Sequence, residues 1–254
     1  MTAGEIRPPI GPAVTFVVPC FEEAAIITQT LRQLASWFPD ARIIVVDDGS
    51  QDETAALARA FAQGHAGTEV LVLPENCGKG RAVAAAAAST SGDRVVIVDA
   101  DLAYHDDAIR RAAAALDHAD MAVGNRRHAE STYTVPVRLF GFLYRRHVLG
   151  WLFNRLVRLT LGLAAQDTQC GLKAFRSETF RRLMPQVRTS RFAFDLEVWL
   201  LASASGLRVA EIPVDVRYGS GRSSVRLLRD GTRMATDVAR LVGRRLMGAY
   251  RRPA

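Results

Sequence analysis

The sequence predicts an α/β fold, with a mostly parallel, doubly wound sheet flanked by helices. Three observations support this. Short apolar strands alternate with helical segments at least four times in the first half of the chain, which is the pattern of a parallel sheet. The strands are Val- and Ile-rich runs without polar alternation, as expected where both faces of a sheet are covered. The 254 residues suffice for the core of one large domain.

The elements of the first half follow the order that such a sheet requires. Strands are predicted over residues 13–18, 42–46, 69–73 and 94–98, and helices over residues 24–38, 53–62 and an Ala-rich segment that ends at residue 90. Pro19 closes the first strand, and Asp52 precedes the second helix. An acidic side chain at that position caps free N–H groups, so Asp52 is interpreted as a helix cap.

The second half predicts further helices and strands, and then a basic tail. A helix is expected over residues 107–116, strands over 120–123, 172–175 and 208–214, and a helix from 192 to 204. Pro213 predicts an edge strand or a strand end, because proline cannot donate to a sheet ladder. Residues 218–224 predict a loop and 225–250 a basic, partly amphipathic helix. We therefore divide the chain into a main domain, residues 1–225, and a basic C-terminal helix, residues 226–254.

Residues 133–163 have a different texture from the rest of the main domain. Apolar residues are interrupted there by arginines, so the segment is too charged to span a bilayer and too apolar for a solvated linker. Two amphipathic helices, with Phe142, Trp151 and Phe153 on one side, would suit the headgroup boundary of a membrane. The alternative is a helical hairpin packed on its own domain.

Composition indicates an anionic partner and a reducing compartment. The net charge is +7, which favours nucleic acid, a nucleotide or a membrane surface as partner. The three cysteines form no CxxC pair, so a disulfide framework or zinc site is not expected. The N-terminus lacks the apolar core of a signal peptide. The expectation is a cytoplasmic protein, peripheral on the cytoplasmic face of the membrane.

Polar residues follow several predicted strands at the point where each ends. Pro19 ends the first strand, Asp47 and Asp48 the second, and Asp99 and Asp101 the fourth, while residues 76–81 follow the third. In a parallel sheet these loops share one edge, where ligands bind. We therefore expect one site there.

The residue types at this edge indicate a binding site for a nucleoside diphosphate with a divalent cation. Asp47 and Asp48 offer acceptors to base N–H groups and ribose hydroxyls, and Asp99 and Asp101 would hold Mg2+ or Mn2+. Lys79 and Arg81 would balance phosphate charge. Glu22 either contacts the nucleotide or starts a helix. Neither G-x-G-x-x-G nor G-x-x-x-x-G-K-[ST] is present, which disfavours a dinucleotide dehydrogenase and a P-loop enzyme.

In this order the motifs resemble the family 2 glycosyltransferases of GT-A (Rossmann-like) fold. The resemblance rests on residues 17–23, 45–52, 76–80 and 99–101, and further on residues 166–175, 192–197 and 211–214. The later motifs resemble those of polyprenyl- and dolichyl-phosphate sugar synthases, and among these most of all the dolichyl-phosphate β-glucosyltransferases. Phosphomannose synthases are more distant relatives, and they often have a metal-contacting Gln where this chain has Ala103.

The resemblance implies inverting transfer of a hexose from a nucleotide sugar, with UDP-glucose favoured over GDP-mannose, to a polyprenyl phosphate at a membrane. It implies a metal site at Asp99 and Asp101, and a base or orienting role near the acceptor for Asp167. The implied nucleotide-sugar contacts are Pro19, Glu22, Asp47, Asp48, Lys79, Arg81, Asp99 and Ala100. Arg126, Lys173 and Arg222 are the candidates for gripping acceptor or diphosphate oxygens.

Two other functions stay open at this point. A family 2 glycosyltransferase could use a soluble or other acceptor. A non-enzymatic protein could bind anionic lipid or nucleic acid through its arginines. The second alternative leaves the acidic pairs at the strand ends unexplained, because they would repel phosphate without a cation, and nucleic acid is therefore not an expected partner.

Overall fold

A computed structural model of the protein describes residues 14–134, 140–191, 193–217 and 227–250. Its main sheet has seven strands in the order β3-β2-β1-β4-β7-β5-β8, and β6 pairs with β9 in a second small sheet. The strands are β1 (Val14–Cys20), β2 (Arg42–Asp47), β3 (Thr68–Val72), β4 (Arg94–Ile97), β5 (Met121–Asn125), β6 (Thr132–Thr134), β7 (Lys173–Arg176), β8 (Val209–Pro213) and β9 (Asp215–Arg217). The helices are α1 (Ile27–Trp37), α2 (Thr54–Gln63), α3 (Lys79–Ala85), α4 (Asp106–Ala115), α5 (Phe140–Leu161), α6 (Ser177–Leu183), α7 (Phe194–Ala204) and α8 (Leu227–Leu246).

The predicted α/β class is confirmed, and burial explains why the sequence pattern reveals it. Every residue of β1 is buried, so this strand lacks the alternation of a half-exposed strand. Helix α1 buries Ile27, Leu31 and Leu34, which lie on one face at helical spacing. The strand with Pro213 is the outer strand of the sheet, as its proline predicts. Asp52 lies two residues before the start of α2 and satisfies the first N–H group of the helix, since its carboxylate accepts from the N–H of Thr54 at 3.0 Å.

Strand β7 runs against its neighbours, and this reversal shapes the functional edge. It pairs antiparallel with both β4 and β5, with Lys173 opposite Ile97 on one side and Val123 on the other. Strand β7 therefore begins where β4 and β5 end. As a result, the loop before β7 joins the loops after the parallel strands at one edge of the sheet.

The expectation of two amphipathic helices in the 133–163 segment is wrong for its described part. A single helix, α5, covers residues 140–161. Phe153 packs against the core whereas Trp151 is exposed, because residues two apart on a helix point in nearly opposite directions. These two aromatic side chains therefore do not share a face. The side chain of Phe142 and residues 135–139 lie outside the described residues.

The predicted basic C-terminal helix corresponds to α8, which ends at Leu246 and packs against α5. Its Leu241 is fully buried, so the helix is anchored to the main domain through an apolar residue. The predicted loop 218–224 lies outside the described residues. Among the helices that the structure describes, none is both long and apolar enough to cross a membrane.

Candidate active site

Asp99 lies directly beyond β4 and is neutralised by a lysine from a different loop. Lys79 Nζ, at the start of α3, is 2.6 Å from Asp99 Oδ1. Burial alone would raise the pKa of Asp99, but Lys79 and the more distant Lys173 and Arg126 lower it below its ordinary value. The other carboxylate oxygen lies so close to Gly171 that a Cβ there would collide with it. Asp99 is thus a fixed anion at the centre of the edge.

Asp101 is the exposed carboxylate of the pair. Among the contacts described, its Oδ1 accepts from the N–H of Ala103 at a long 3.3 Å. Burial and the negative charge of Asp99 raise the pKa of Asp101 above its ordinary value. Leu102, which follows Asp101, has φ +42°, a left-handed conformation that is uncommon for a leucine. The Leu102 N–H donates to the Asp99 carbonyl at 3.0 Å, and this turn keeps Asp101 close to Asp99.

The surroundings of Asp101 fit a divalent cation that is shared with a substrate. Burial raises the pKa of Glu23, and so do the nearby charges of Asp101, Asp52 and Asp99, so negative charge accumulates here. No three side chains of His, Cys, Asp or Glu converge as a ligand set within the described ranges. Mg2+ usually takes one or two carboxylates and completes its shell with water and substrate phosphates. Asp101 and Asp99 would supply that protein share.

Asp47 and Asp48 lie at the predicted edge, but both carboxylates bind the protein's own backbone. Asp47 is fully buried and accepts from the N–H and hydroxyl of Ser50 at 3.1 and 2.5 Å. Asp48 accepts from the N–H groups of Cys77 and Gly78 at 2.8 and 2.6 Å. Asp47 therefore shapes the turn after β2, and Asp48 holds the loop that delivers Lys79.

The remaining predicted donor residues lie along the same edge with different exposure. Pro19 and Ala100 are buried, whereas Glu22 and Arg81 are exposed. Glu22 has φ +55° and donates its N–H to Ser50 Oγ at 2.8 Å. Arg81 lies in the first turn of α3. The structure thus places these residues at the same edge of the sheet, where the exposed side chains of Glu22 and Arg81 are open to a ligand.

Arg126 and Asp167 form a bidentate ion pair across the edge from Lys79. Arg126 Nε and Nη2 lie 2.6 and 2.9 Å from the two Asp167 oxygens. The backbone N–H groups of Arg126 and Gln169 also donate to this carboxylate. Burial alone would raise the pKa of Asp167, but hydrogen bonds and charge from Arg126 lower it. Asp167 is therefore an anion that orients Arg126, whose side chain stays 34% exposed.

Lys173 occupies a different position from the one expected for a phosphate ligand. Its side chain is 1% exposed. Its Nζ donates to Asp195 Oδ1 and the Cys170 carbonyl, each at 2.5 Å. A phosphate has no access to this ammonium group, which instead fixes the loop before β7 to helix α7. Arg222, the other expected phosphate ligand, lies outside the described residues.

Several residues that the sequence interpretation overlooked support the Asp167 loop. Asn154 of α5 accepts from the N–H and hydroxyl of Thr168 at 3.3 and 2.8 Å and donates to the Gln166 carbonyl at 2.9 Å. Glu211 of β8 accepts from the N–H of Gln166 at 3.2 Å. A single asparagine in a helix whose other polar residues are mainly arginines is the sequence signal that could have found Asn154. Helix α5 is therefore tied directly to the site.

Exposed apolar side chains lie along the C-terminal half of α5 and at the C-terminal end of α8. They are Trp151, Leu156, Leu159, Leu246 and Met247, with 44% to 81% of each residue exposed. Arg155 lies over the Trp151 ring at 5.6 Å. An added Cβ at Gly162 would meet the Arg245 guanidinium at 2.7 Å, which places the ends of the two helices together. The C-terminal parts of both helices therefore expose apolar and cationic side chains.

Comparison with known proteins finds relatives that are dolichyl-phosphate beta-glucosyltransferases. A dolichyl-phosphate beta-glucosyltransferase of Trichomonas vaginalis is 33% identical over 219 residues, with 79% of this chain and 63% of that protein covered. The human dolichyl-phosphate beta-glucosyltransferase is 30% identical, with 82% and 65% covered. The chain thus spans slightly less than two thirds of the length of these relatives.

A solved structure shares the fold at lower sequence identity. It is glucosyl-3-phosphoglycerate synthase from Mycobacterium tuberculosis in complex with Mn2+, UDP and glucosyl-3-phosphoglycerate. It is 22% identical, with a TM-score of 0.64 and coverage of 92% of this chain and 80% of that one. The profile of Glycosyl transferase family 2 matches residues 15–184. The chain therefore belongs to glycosyl transferase family 2, which confirms the family and the GT-A fold that its motifs predict.

Proposed function

We propose that this protein is an inverting hexosyltransferase that moves glucose from UDP-glucose to the phosphate of a polyprenyl lipid. The relatives named as dolichyl-phosphate beta-glucosyltransferases support the sugar and the acceptor class. The single observation that carries the proposal is the arrangement of charge at one sheet edge. An exposed Asp101 beside the Asp99–Lys79 pair faces the donor side, and Arg126 is held by Asp167 on the acceptor side.

On the donor side, the chain's own residues would bind a diphosphate and favour its departure. Burial alone would lower the pKa of Lys79, but the charges of Asp99 and Asp195 raise it above its ordinary value, so Lys79 is cationic. Arg81 adds exposed positive charge in the first turn of α3. A divalent cation held by Asp101 and Asp99 would act as a Lewis acid on the diphosphate oxygens. These charges stabilise the negative charge that develops on UDP as the bond to C1 of glucose breaks.

On the acceptor side, a phosphate oxygen already carries the negative charge needed for attack. Its lone pair forms the new bond to C1 from the face opposite UDP, so the configuration inverts and no strong general base is required. Asp167 is a poor proton acceptor, because its low pKa and its bonds to Arg126 stabilise the anion. We assign Asp167 an orienting role. Arg126 would hold the acceptor phosphate in line, which lowers the entropy cost of the reaction.

The exposed apolar and basic side chains of α5 and α8 support peripheral membrane contact. Trp151 and Leu159 would enter the headgroup boundary while arginines contact anionic lipid. Because Asn154 on α5 holds the Asp167 loop, this contact would bring the acceptor side of the site close to the lipid surface. The corresponding location is the cytoplasmic face of a membrane.

The direct test is a transfer assay with Mg2+ or Mn2+, a short-chain polyprenyl phosphate, and UDP-glucose or GDP-mannose in parallel reactions. The expected result is a glucosyl lipid and released UDP. Product from GDP-mannose alone would be consistent with the mechanism but would contradict the assignment of UDP-glucose as the donor. Nucleotide binding without lipid product would favour a soluble acceptor, and no nucleotide binding would refute the proposal.

A further inference from the structure

Helix α7 presents a second acidic residue, Glu197, on the side opposite the Asp195–Lys173 pair. Glu197 is fully buried, although a buried carboxylate is costly unless hydrogen bonds satisfy its oxygens. Each of its two oxygens has a separate set of partners. The residue therefore joins two parts of the chain that are distant in sequence.

One oxygen of Glu197 defines the conformation of residues 188–191, here called the 188–191 loop. Glu197 Oε2 accepts from the N–H of Arg188 at 2.8 Å and the N–H of Thr189 at 2.6 Å. It also accepts from the Thr189 hydroxyl at 2.7 Å. Two successive backbone N–H groups aimed at one oxygen leave this part of the loop little conformational freedom.

The other oxygen of Glu197 is bound by the C-terminal part of the chain. Tyr250, just beyond α8, donates its hydroxyl to Glu197 Oε1 at 2.6 Å, and Arg244 Nη1 lies 3.5 Å from the same oxygen. Burial first, and then this hydrogen bond, raise the pKa of Tyr250 to about 12. The phenol therefore stays protonated and able to donate at physiological pH.

The 188–191 loop in turn packs on the segment that carries Lys79. The Ser190 carbonyl accepts from the N–H of Gly80 at 2.8 Å. The Thr189 and Ser190 carbonyls lie so close to Gly80 and Gly78 that an added Cβ at either glycine would collide. Because the two backbone segments are in direct contact here, a shift of the 188–191 loop would displace the backbone on both sides of Lys79.

We propose that Glu197 is a positioning residue that couples the C-terminal end of α8 to the donor side of the site. The coupling runs from Tyr250 and Arg244 through Glu197 to the 188–191 loop, and from there to residues 78–80. Its functional consequence rests on the proposed donor site. The basic C-terminal helix is accordingly part of the machinery that places Lys79 beside Asp99, and not only a surface extension.

The test compares Tyr250→Phe and Arg244→Ala with Arg240→Ala as a matched control. Arg240 lies on the same helix and, among its described contacts, pairs with Asp237 at 3.0 Å. Each variant is measured by amide hydrogen exchange without ligand, by UDP binding with Mn2+, and by KM for both substrates. Tyr250→Phe removes one hydrogen bond to a charged group. This loss corresponds to roughly a tenfold change in the equilibrium between the native and displaced conformations of the 188–191 loop.

The expected result is faster exchange at residues 188–191 and 77–81 in both test variants, with Arg240→Ala like wild type. UDP binding should weaken by roughly three- to tenfold, and the donor KM should rise while the acceptor KM stays constant. Unchanged exchange at 77–81 would overturn the coupling, as would a uniform increase across the core. If wild type bound no UDP, the proposed function would fail, and the exchange pattern would still decide on the coupling.

Discussion

Replacing Asp167 by Asn tests whether this carboxylate orients Arg126 or acts as a base. The variant keeps the size of the side chain but puts an amide NH2 where one guanidinium N–H now donates. Removing one partner of a buried ion pair costs about 3–5 kcal/mol. Asp167 is only 4% exposed but Arg126 is 34% exposed, so solvent screening reduces the expected loss of unfolding free energy to about 2–3 kcal/mol.

The pH dependence of that loss has a definite sign. The folded-state pKa of Asp167 is lowered, so its stabilisation is fully present above the unfolded-state value of about 3.9. It is lost as the pH falls below that value through the folded-state pKa. Urea unfolding of wild type and Asp167→Asn should therefore differ at neutral pH and converge in acid. A difference that is independent of pH would contradict the assigned ion pair.

The kinetics of the same variant separate the two roles. If Asp167 orients Arg126, Asp167→Asn should raise the KM for polyprenyl phosphate, and adding Arg126→Lys should cause little further loss because the two residues act as a unit. The pH profile of the remaining activity should keep its shape. Loss of kcat with an unchanged acceptor KM and a vanished acidic limb would refute the orienting role and support a base.

Three further variants test other parts of the site. Gly171→Ala should reduce activity more than stability, because the added Cβ displaces the Asp99 carboxylate; activity like that of wild type would contradict the close approach. Lys173→Met should lower the unfolding free energy by about 3–5 kcal/mol by leaving Asp195 without its buried partner, and adding Asp195→Leu should recover part of it in urea unfolding. Trp151→Ser with Leu159→Ser should weaken binding to anionic liposomes in a sedimentation assay, with UDP binding unchanged as the control; undiminished binding would contradict the membrane-facing surface.

The sequence predicted those parts of the fold that depend on local pattern. The buried strands β1, β2 and β4 appear as uninterrupted apolar runs, and parallel strands place their carboxyl ends together, so the edge with Asp99 and Asp101 could be located. Asp52 follows from helix capping alone. These features depend on a few neighbouring residues and on one rule of sheet topology.

Long-range pairing accounts for what the sequence did not predict. A four-residue strand such as β7 does not reveal its direction, so neither its reversal nor the burial of Lys173 could be predicted. Asp47 and Asp48 have the residue type of nucleotide ligands, but their partners, Ser50 and Gly78, are visible only once the loops are in place. The sequence does not distinguish one helix from two over α5, because apolar residues lie on both its core-facing and its exposed side.

The most direct test of the donor site is a calorimetric titration of UDP into wild type and Asp101→Ala, each with Mn2+ and with a chelator. Wild type should bind UDP in a way that depends on Mn2+, and the variant should bind UDP weakly with no improvement from Mn2+. Circular dichroism should show the same fold for both proteins. Equal affinity in all four titrations would contradict the assignment of the β4 strand end as a metal-dependent nucleotide site.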